Sequence, residues 1–502
     1  MLLAFINCIK IPELRKKIIF TLSMVFVARI GANIPLPGLD PKPLYDFFLA
    51  QRSASGGLVG LYDMFTGGAF LKGAIFGLGV MPYISASIIL QLLTAVAPTL
   101  ARIQREHGGR QRIAQYTRYL TVLICVIQGM LLVLALANYP EKLFIGFDKE
   151  VYGDIVVMHR GMFFVTSTIF LTAGTMILTW FGERITQFGI GNGVSILITV
   201  GILSSLPKAI SRLFEMLYSP LGTEGSLLGF PQLVMMTILL LMVVSSMVAV
   251  TQAVRKIPIQ YAKQVIGRKV IGGQASVLPL KVNYAGVMPV IFASTILMFP
   301  QQVLAYIGGA TGISFFQKLA YILSHGSYVY YTIYGTLILA FSYFWVSIMF
   351  KPTQVADDLK RNSGYIPGIR PGPATAEFLD FVMTRLTLAG AIFLTIIALL
   401  PDLLYFSFGI PYSIAMFFGG TGTLISVGVI LETMKQMEVH LIERNYDGFW
   451  AKGKIKTRAL PSGGEQGTFR DVTDFASRTK KFWIAIGVLL LAGLVSLFLR
   501  KG

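Results

Sequence analysis

The sequence predicts an all-α polytopic membrane protein: ten transmembrane helices arranged as two inverted five-helix halves. Three observations predict it. Apolar stretches of spanning length, roughly 17–25 residues, recur along nearly the whole chain. Those stretches carry almost no charge. The charge that is present collects in long loops on one side. Of the 502 residues, 54% are hydrophobic and 13% are charged, and the mean hydropathy is +0.69. A soluble chain of this length would divide into several domains with polar surfaces, and this one has too few polar residues to build them.

Spans are expected near 18–34, 74–97, 119–138, 160–181, 190–207, 230–252, 285–306, 328–350, 385–405 and 413–431, with an eleventh candidate at 482–499. The first follows Arg15-Lys16-Lys17 and has no small-residue cleavage site after it, so it reads as a retained crossing rather than a signal peptide. Segment 35–73 is too long for a turn and holds Gly56, Gly57, Gly60, Gly67 and Gly68. Leu58, Leu61, Tyr62, Phe65 and Ala69 fall near helical spacing in it. It reads either as a short half-helix folding back into an external cavity or as a loop lying on the outer leaflet.

One set of loops carries Arg102, Arg105, Arg110, Arg112 and Arg118, then Arg255, Lys256, Lys263, Arg268, Lys269 and Lys281, then Lys351, Lys360, Arg361 and Arg370. Segment 139–158 sets Lys142 and Lys149 against Glu141, Asp148, Glu150 and Asp154. The positive-inside rule therefore places the N-terminus and the end of the tenth span in the cytoplasm. Five spans on either side of an external hinge at 208–229 insert with opposite orientation, the arithmetic of an inverted repeat. This divides the chain into 1–207, the hinge 208–229, 230–432, a basic cytoplasmic tail and linker at 433–481, and the extra span at 482–499.

The net charge of +19 fits retained cytoplasmic loops, and a loop that docks on ribosomal RNA would satisfy it as well. Segment 251–284 has six basic residues and no acid. That is more than topology needs, so a protruding hairpin or helix–loop that docks on a partner is expected. Loop 351–384 carries Pro367-Gly368-Ile369-Arg370-Pro371-Gly372-Pro373, a backbone stiffened by proline and suited to a presenting turn.

Chemistry is sparse. Cys8 and Cys125 form no disulfide framework, and His107, His159, His325 and His440 show no metal-ligand spacing. No cofactor motif is present. Gly189-Ile190-Gly191-Asn192-Gly193 lacks the strand and acidic partner of a nucleotide loop and reads as a tight turn opening a helix. Arg29 reads as the one charge within a span, near its outer end, where snorkelling is the default. With no His, Asp or Glu read inside the spans, an intramembrane enzyme has no constellation to work with. An inverted-repeat secondary transporter needs a midplane site, against which the clean spans count. A passive conduit remains.

The string Gly79-Val80-Met81-Pro82-Tyr83-Ile84-Ser85-Ala86-Ser87-Ile88-Ile89-Leu90-Gln91-Leu92-Leu93 closely resembles the second helix of the SecY family, the central subunits of bacterial protein-conducting channels. Similar matches are Ile34–Gly38, Met64–Gly68, Gln115–Tyr119, Gly189–Ser195, Leu278–Asn283, Gly368–Gly372 and Met383–Thr387. They stand in family order across about residues 10–458. The resemblance implies a clamshell around an hourglass pore, with a re-entrant plug helix at about 58–72 containing Leu61, Tyr62, Met64, Phe65, Gly67 and Gly68. It implies a pore ring of Val80, Ile84, Ile198, Ile291 and Ile425, where Val80 replaces the commoner Ile and should seal slightly less tightly. It also implies a lateral gate between helices two and three on one side and seven and eight on the other, with Gln91 in the seam. Arg268, Lys269 and Arg370 would dock the SecA motor or the ribosome and its RNA. The implied partners are SecE, SecG, SecA, the ribosome, signal peptides and nascent chains, and anionic lipid. The implied setting is the bacterial cytoplasmic (inner) membrane.

The chain departs from the family beyond Arg458. A linker, Pro461–Gly467, precedes the span Phe482–Leu499. The span reads either as a fused SecE-like segment, although it lacks the expected Trp-Pro motif, or as a lineage-specific anchor.

Overall fold

The computed structural model describes residues 11–50, 58–106, 108–138, 147, 149–218, 230–261, 264–266, 269–271, 275–311, 313–323, 327–408, 415 and 420–451. In chain order the elements are α1 (Pro12–Gly31), α2 (Pro41–Ala50), α3 (Leu58–Thr66), α4 (Met81–Val96), α5 (Pro98–Arg105), α6 (Gly109–Asn138), α7 (Lys149–Tyr152), α8 (Arg160–Phe188), α9 (Gly193–Tyr218) and α10 (Phe230–Gln252). Four strands follow: β1 (Val254–Tyr261), β2 (Gln264–Ile266), β3 (Lys269–Ile271) and β4 (Ala275–Lys281). Then come α11 (Met288–Thr311), α12 (Ser314–Ile322), α13 (Tyr328–Met349), α14 (Pro352–Arg361), β5 (Gly364–Tyr365), α15 (Pro373–Phe408) and α16 (Gly420–Ala451).

Each of the ten expected spans falls on a helix. Among the described residues, α6, α8, α9, α13 and α15 are long and apolar enough to cross a membrane, and the bent pair α4–α5 makes a sixth. Shorter apolar runs, Met236–Gln252 and Met288–Leu297, lie within α10 and α11. α1 holds the charges of its first turns, and α16 runs on into charged sequence.

Local chemistry sets the breaks. Proline excludes the residue before it from the helical region. Ala97, ahead of Pro98, is accordingly extended (ψ 114°), and α4 turns through 105° into α5. Pro207, Pro300 and Pro401 lie inside α9, α11 and α15, tolerated because neighbouring groups can re-satisfy the freed backbone in a span.

Several boundaries differ from expectation. Ala74 bridges to Pro35 and residues 75–80 form turns rather than the start of the second span, with Gly73 and Gly79 at positive φ (57° and 60°). α9 continues through Pro207 to Tyr218 and shortens the expected hinge 208–229, of which 219–229 lies outside the described residues. α16 continues to Ala451, so the first part of the expected tail 433–481 is helical. The rest of that tail, and the eleventh span at 482–499, also lie outside the described residues.

Helices of the first half pack on one another. α8 contacts α1, α6 and α9, and α6 contacts α4. In the second half α11 packs on α13, α13 on α15, α15 on α16, and α16 on α10. The two sets meet along two seams: α9 against α16, and α4 with α6 against α11. On the basic-loop side, β1 pairs antiparallel with β4 from Val254↔Lys281 to Gln260↔Ala275. β5 joins the other edge of β1. β1 and β4 of segment 251–284 therefore pair as a hairpin, and loop 351–384 contributes a strand to their sheet.

Candidate functional site

The site lies where the two seams converge. Val80 caps α4 and Ile84 sits in its first turn, while Ile198, Ile291 and Ile425 sit near the N-terminal ends of α9, α11 and α16. Each half thus supplies two helices. The five side chains belong to one apolar cluster, none more than 7% exposed, with Met81, Ile88, Ile202, Phe292 and Val429 beside them. Those five companions escaped the sequence reading, since nothing distinguishes one buried aliphatic residue from another by composition. Ring residues with no polar side-chain atom can bind nothing by hydrogen bond or charge. What they can do is exclude ions by dewetting.

Tyr62, Met64 and Phe65 of α3 are buried in the same cluster. Leu61 lies on α3 as well, its side chain outside the described residues. Segment 58–72 is therefore not a surface loop. It is also not helical throughout: α3 ends at Thr66, where Gly67 and Gly68 turn to positive φ (67° and 89°). The Gly68 N–H closes the helix end by donating to Asp63 O at 2.9 Å, an arrangement open to glycine at little cost. Leu71 N–H donates to Asp63 Oδ1 at 3.0 Å. The Tyr62 hydroxyl donates to Leu78 O at 3.2 Å, and its ring stands edge-on to Phe70 with centroids 4.8 Å apart. On the opposite half, a Cβ at Gly422 of α16 would lie 2.9 Å from Met64 Cε. Glycine there lets α3 touch both halves.

Two expectations about charge are corrected. Arg29 does not reach outward. Its Nη2 donates to Gly67 O at 2.9 Å, because a carbonyl at a helix end is a better partner than lipid. Nor is it the one charge within a span. Asp402, inside the expected ninth span, is 8% exposed and accepts a hydrogen bond from Tyr331, with Tyr330 and Tyr334 nearby. Its place near the end of an apolar run hid it.

Gln91 donates from Nε2 to Ser87 Oγ at 3.3 Å within α4, while its Oε1 is buried with no hydrogen-bond partner. Among the described residues it makes no bond across the α4–α11 seam. The 189–193 string is a tight turn, with Gly191 at φ 79°. Ser195 N–H donates to Asn192 Oδ1 at 3.3 Å as α9 begins. Arg370 is exposed at its turn, flanked by Gly368 (φ 84°) and Gly372 (φ 105°), and its carbonyl accepts from Thr375 Oγ1 at 2.9 Å. Lys269 starts β3 with its side chain outside the described residues, and Arg268 lies wholly outside them. Among the described residues no group of three or more His, Cys, Asp or Glu is placed to hold a metal ion.

Residues 74–434 match the SecY family model. A protein translocase subunit SecY from Chlamydia muridarum is 40% identical over 460 residues, covering 89% of this chain and 98% of its own. The subunit of the same name from Streptomyces galbus is 43% identical over 455 residues (89% and 100%). That of Escherichia coli K12 is 39% identical over 445 residues (88% and 95%). Among solved structures, a protein-conducting channel superposes with a TM-score of 0.56 at 18% identity, covering 89% of this chain and 99% of that one. Sec61 in a canine ribosome–channel complex from the endoplasmic reticulum gives 0.53 at 17% identity, with the same coverage.

Proposed function

The chain belongs to the SecY family of protein translocase subunits, and from that premise we propose that it is a passive conduit. Unfolded secretory polypeptides cross through it, and apolar transmembrane segments leave it sideways into lipid. The observation that carries the proposal is the single apolar cluster in which Val80, Ile84, Ile198, Ile291 and Ile425 meet the plug residues Tyr62, Met64 and Phe65 at the junction of the halves. An uncharged constriction blocks ions when narrow and wet only with difficulty, yet it yields to a chain of any sequence. Val80 makes this ring slightly less tight than isoleucine would. The inverted-repeat transporter gains no support from the relatives.

The remaining assignments follow the same reading. Residues 1–207 and 230–432 are the two halves of the clamshell, joined through 208–229, and the seam of α4 and α6 with α11 is the lateral gate. Gln91, with an unpartnered buried oxygen beside that seam, is its polar member. The conduit catalyses nothing and draws its energy from a partner: the SecA motor or the ribosome, docking on Arg268, Lys269 and Arg370. Arginine pairs bidentately with phosphate or carboxylate, which suits either. SecE and SecG complete the complex in the bacterial cytoplasmic membrane, with the N-terminus inside and anionic lipid around the basic loops.

The test places single cysteines at Phe65 and Ile291, in a background lacking Cys8 and Cys125, and crosslinks them to a stalled secretory precursor in membranes. Crosslinks at Ile291 that require the precursor's signal sequence are expected. Absence of crosslinks at both positions, in folded protein with its partners present, would overturn the assignment of the ring.

A further inference from the structure

A guanidinium inside a span is expensive, and an intramembrane charge marks function by default. Arg29 of α1 donates to the carbonyl oxygen of Gly67, at 2.9 Å. That carbonyl lies just past the C-terminal end of α3, where helices leave unsatisfied acceptors and a negative dipole end. Asp63, one turn earlier on α3, adds electrostatic attraction. The fit is close from both sides. A Cβ at Gly67 would lie 2.2 Å from Arg29 Nη1 and 2.8 Å from Gly201 Cα of α9. A Cβ at Gly201 would meet Phe65 O at 3.2 Å. Ser204 Oγ, donating to Gly201 O at 2.7 Å, stands 3.4 Å from the same Gly67 carbonyl. Small residues on α9 and a left-handed glycine on the plug thus make a notch that one arginine closes.

Arg29, Phe65, Thr66 and Val80 all line one cavity of about 40 Å³. That is room for a water molecule. It therefore connects the arginine with the ring.

We propose that Arg29 is the latch of the plug. Resting on the conduit reading above, it is a positioning residue whose hydrogen bond to Gly67 holds α3 in the closed arrangement and is lost when α3 leaves. The ring seals by apolar contact, which is non-directional. The latch supplies the direction, fixing where α3 returns after each passage.

The experiment measures resting ion conductance in planar bilayers, using the full chain with its partner subunits. Compared are the unmodified channel, Arg29→Met, Arg29→Lys, and a channel lacking residues 58–66. A hydrogen bond to a charged group shifts an equilibrium by about 10–100-fold, so Arg29→Met raises the resting open fraction by about that factor. Arg29→Met adds nothing in the channel already lacking 58–66. Arg29→Lys, which keeps a cationic donor, leaks less than Arg29→Met. If the deletion leaks and Arg29→Met does not, the latch is wrong and the plug stands. If the deletion itself does not leak, the plug reading is wrong. Equal leak from the Lys and Met variants removes the hydrogen bond as the cause. Should Arg29→Met fail to insert, Gly67→Ala tests the same contact from the plug side. Its Cβ would lie 2.2 Å from Arg29 Nη1 and its φ of 67° disfavours alanine, so the same rise in leak is expected and unchanged conductance refutes the latch.

Discussion

Replacing Ile425 with asparagine should unbalance the resting channel. Ile425 is fully buried, on α16 three residues after the glycine that meets Met64 of the plug. In the closed arrangement the substitution forfeits about 2–3 kcal/mol of apolar burial. It also encloses an amide that costs about 1–3 kcal/mol if unpaired. In a wetted pore neither penalty applies. Closure is therefore weakened by about 3–6 kcal/mol, an equilibrium shift on the order of 10²–10⁴-fold. Single-channel recording of the reconstituted complex reads this as resting openings without precursor. Two controls separate the ring from the fold. Ile425→Leu keeps the volume, costs under about 1.5 kcal/mol and stays near the unmodified conductance. Ile338→Asn, equally buried but on α13 in a separate core, lowers thermal stability without producing a leak. A folded, fully assembled Ile425→Asn channel no leakier than the unmodified one would refute the reasoning.

Two other perturbations have directions fixed by the geometry. Arg370→Glu reverses a charge on an exposed turn, so the channel folds. Motor-driven transport of a secreted precursor into vesicles then falls by about tenfold or more, as a like-charge docking contact predicts, and unchanged transport would sink the docking assignment. Asp402→Ala removes the acceptor that Tyr331 uses and lowers stability by about 1–3 kcal/mol, read as a fall in Tm. Asp402→Asn, which keeps an acceptor, recovers most of it, and equal Tm for the alanine variant and the unmodified protein would contradict the hydrogen bond's role.

Hydropathy placed ten spans on helices because burial in lipid leaves a long, uniform signature. It could not separate helix from turn within an apolar run. Ala74, Ile75, Phe76, Leu78 and Val80 look like the start of a span, yet they form a bridge and turns, with Gly73 and Gly79 at positive φ. Nor does the membrane boundary end a helix. Glu432, Lys435 and Glu438 lie on α16, which continues past the apolar run, since charged residues form helix well in water. α14 was missed because PTQVADDLKR is too polar to register as a span and too short to register otherwise. At the site, the ring residues are ordinary apolar side chains in sequence, and only the resemblance selected them. Arg29 was visible but misassigned. Snorkelling is the default for an arginine near a span's end, and its partner lies 38 residues away, beyond any local pattern.

The placement of the proposed ring gives a physical reason for the proposed latch. Val80 and Ile84 come from α4, Ile198 from α9, Ile291 from α11 and Ile425 from α16. Parting the halves therefore pulls the ring apart as one event. Its closure is cooperative and carries no register, because aliphatic side chains meet one another equally well over a range of offsets. α3 faces both halves: Met64 lies against Gly422 of α16, while Arg29 and Gly201 hold Gly67 from α1 and α9. Its ties from Arg29 and Ser204 to Gly67 and from Tyr62 to Leu78 run to the first half, and Met64 meets the second half by apolar contact. On the proposed reading, when the halves separate the non-directional contact with α16 yields first and the plug stays with its own half. Opening the clamshell and displacing the plug are then two steps with separate costs, and Arg29→Met lowers only the second.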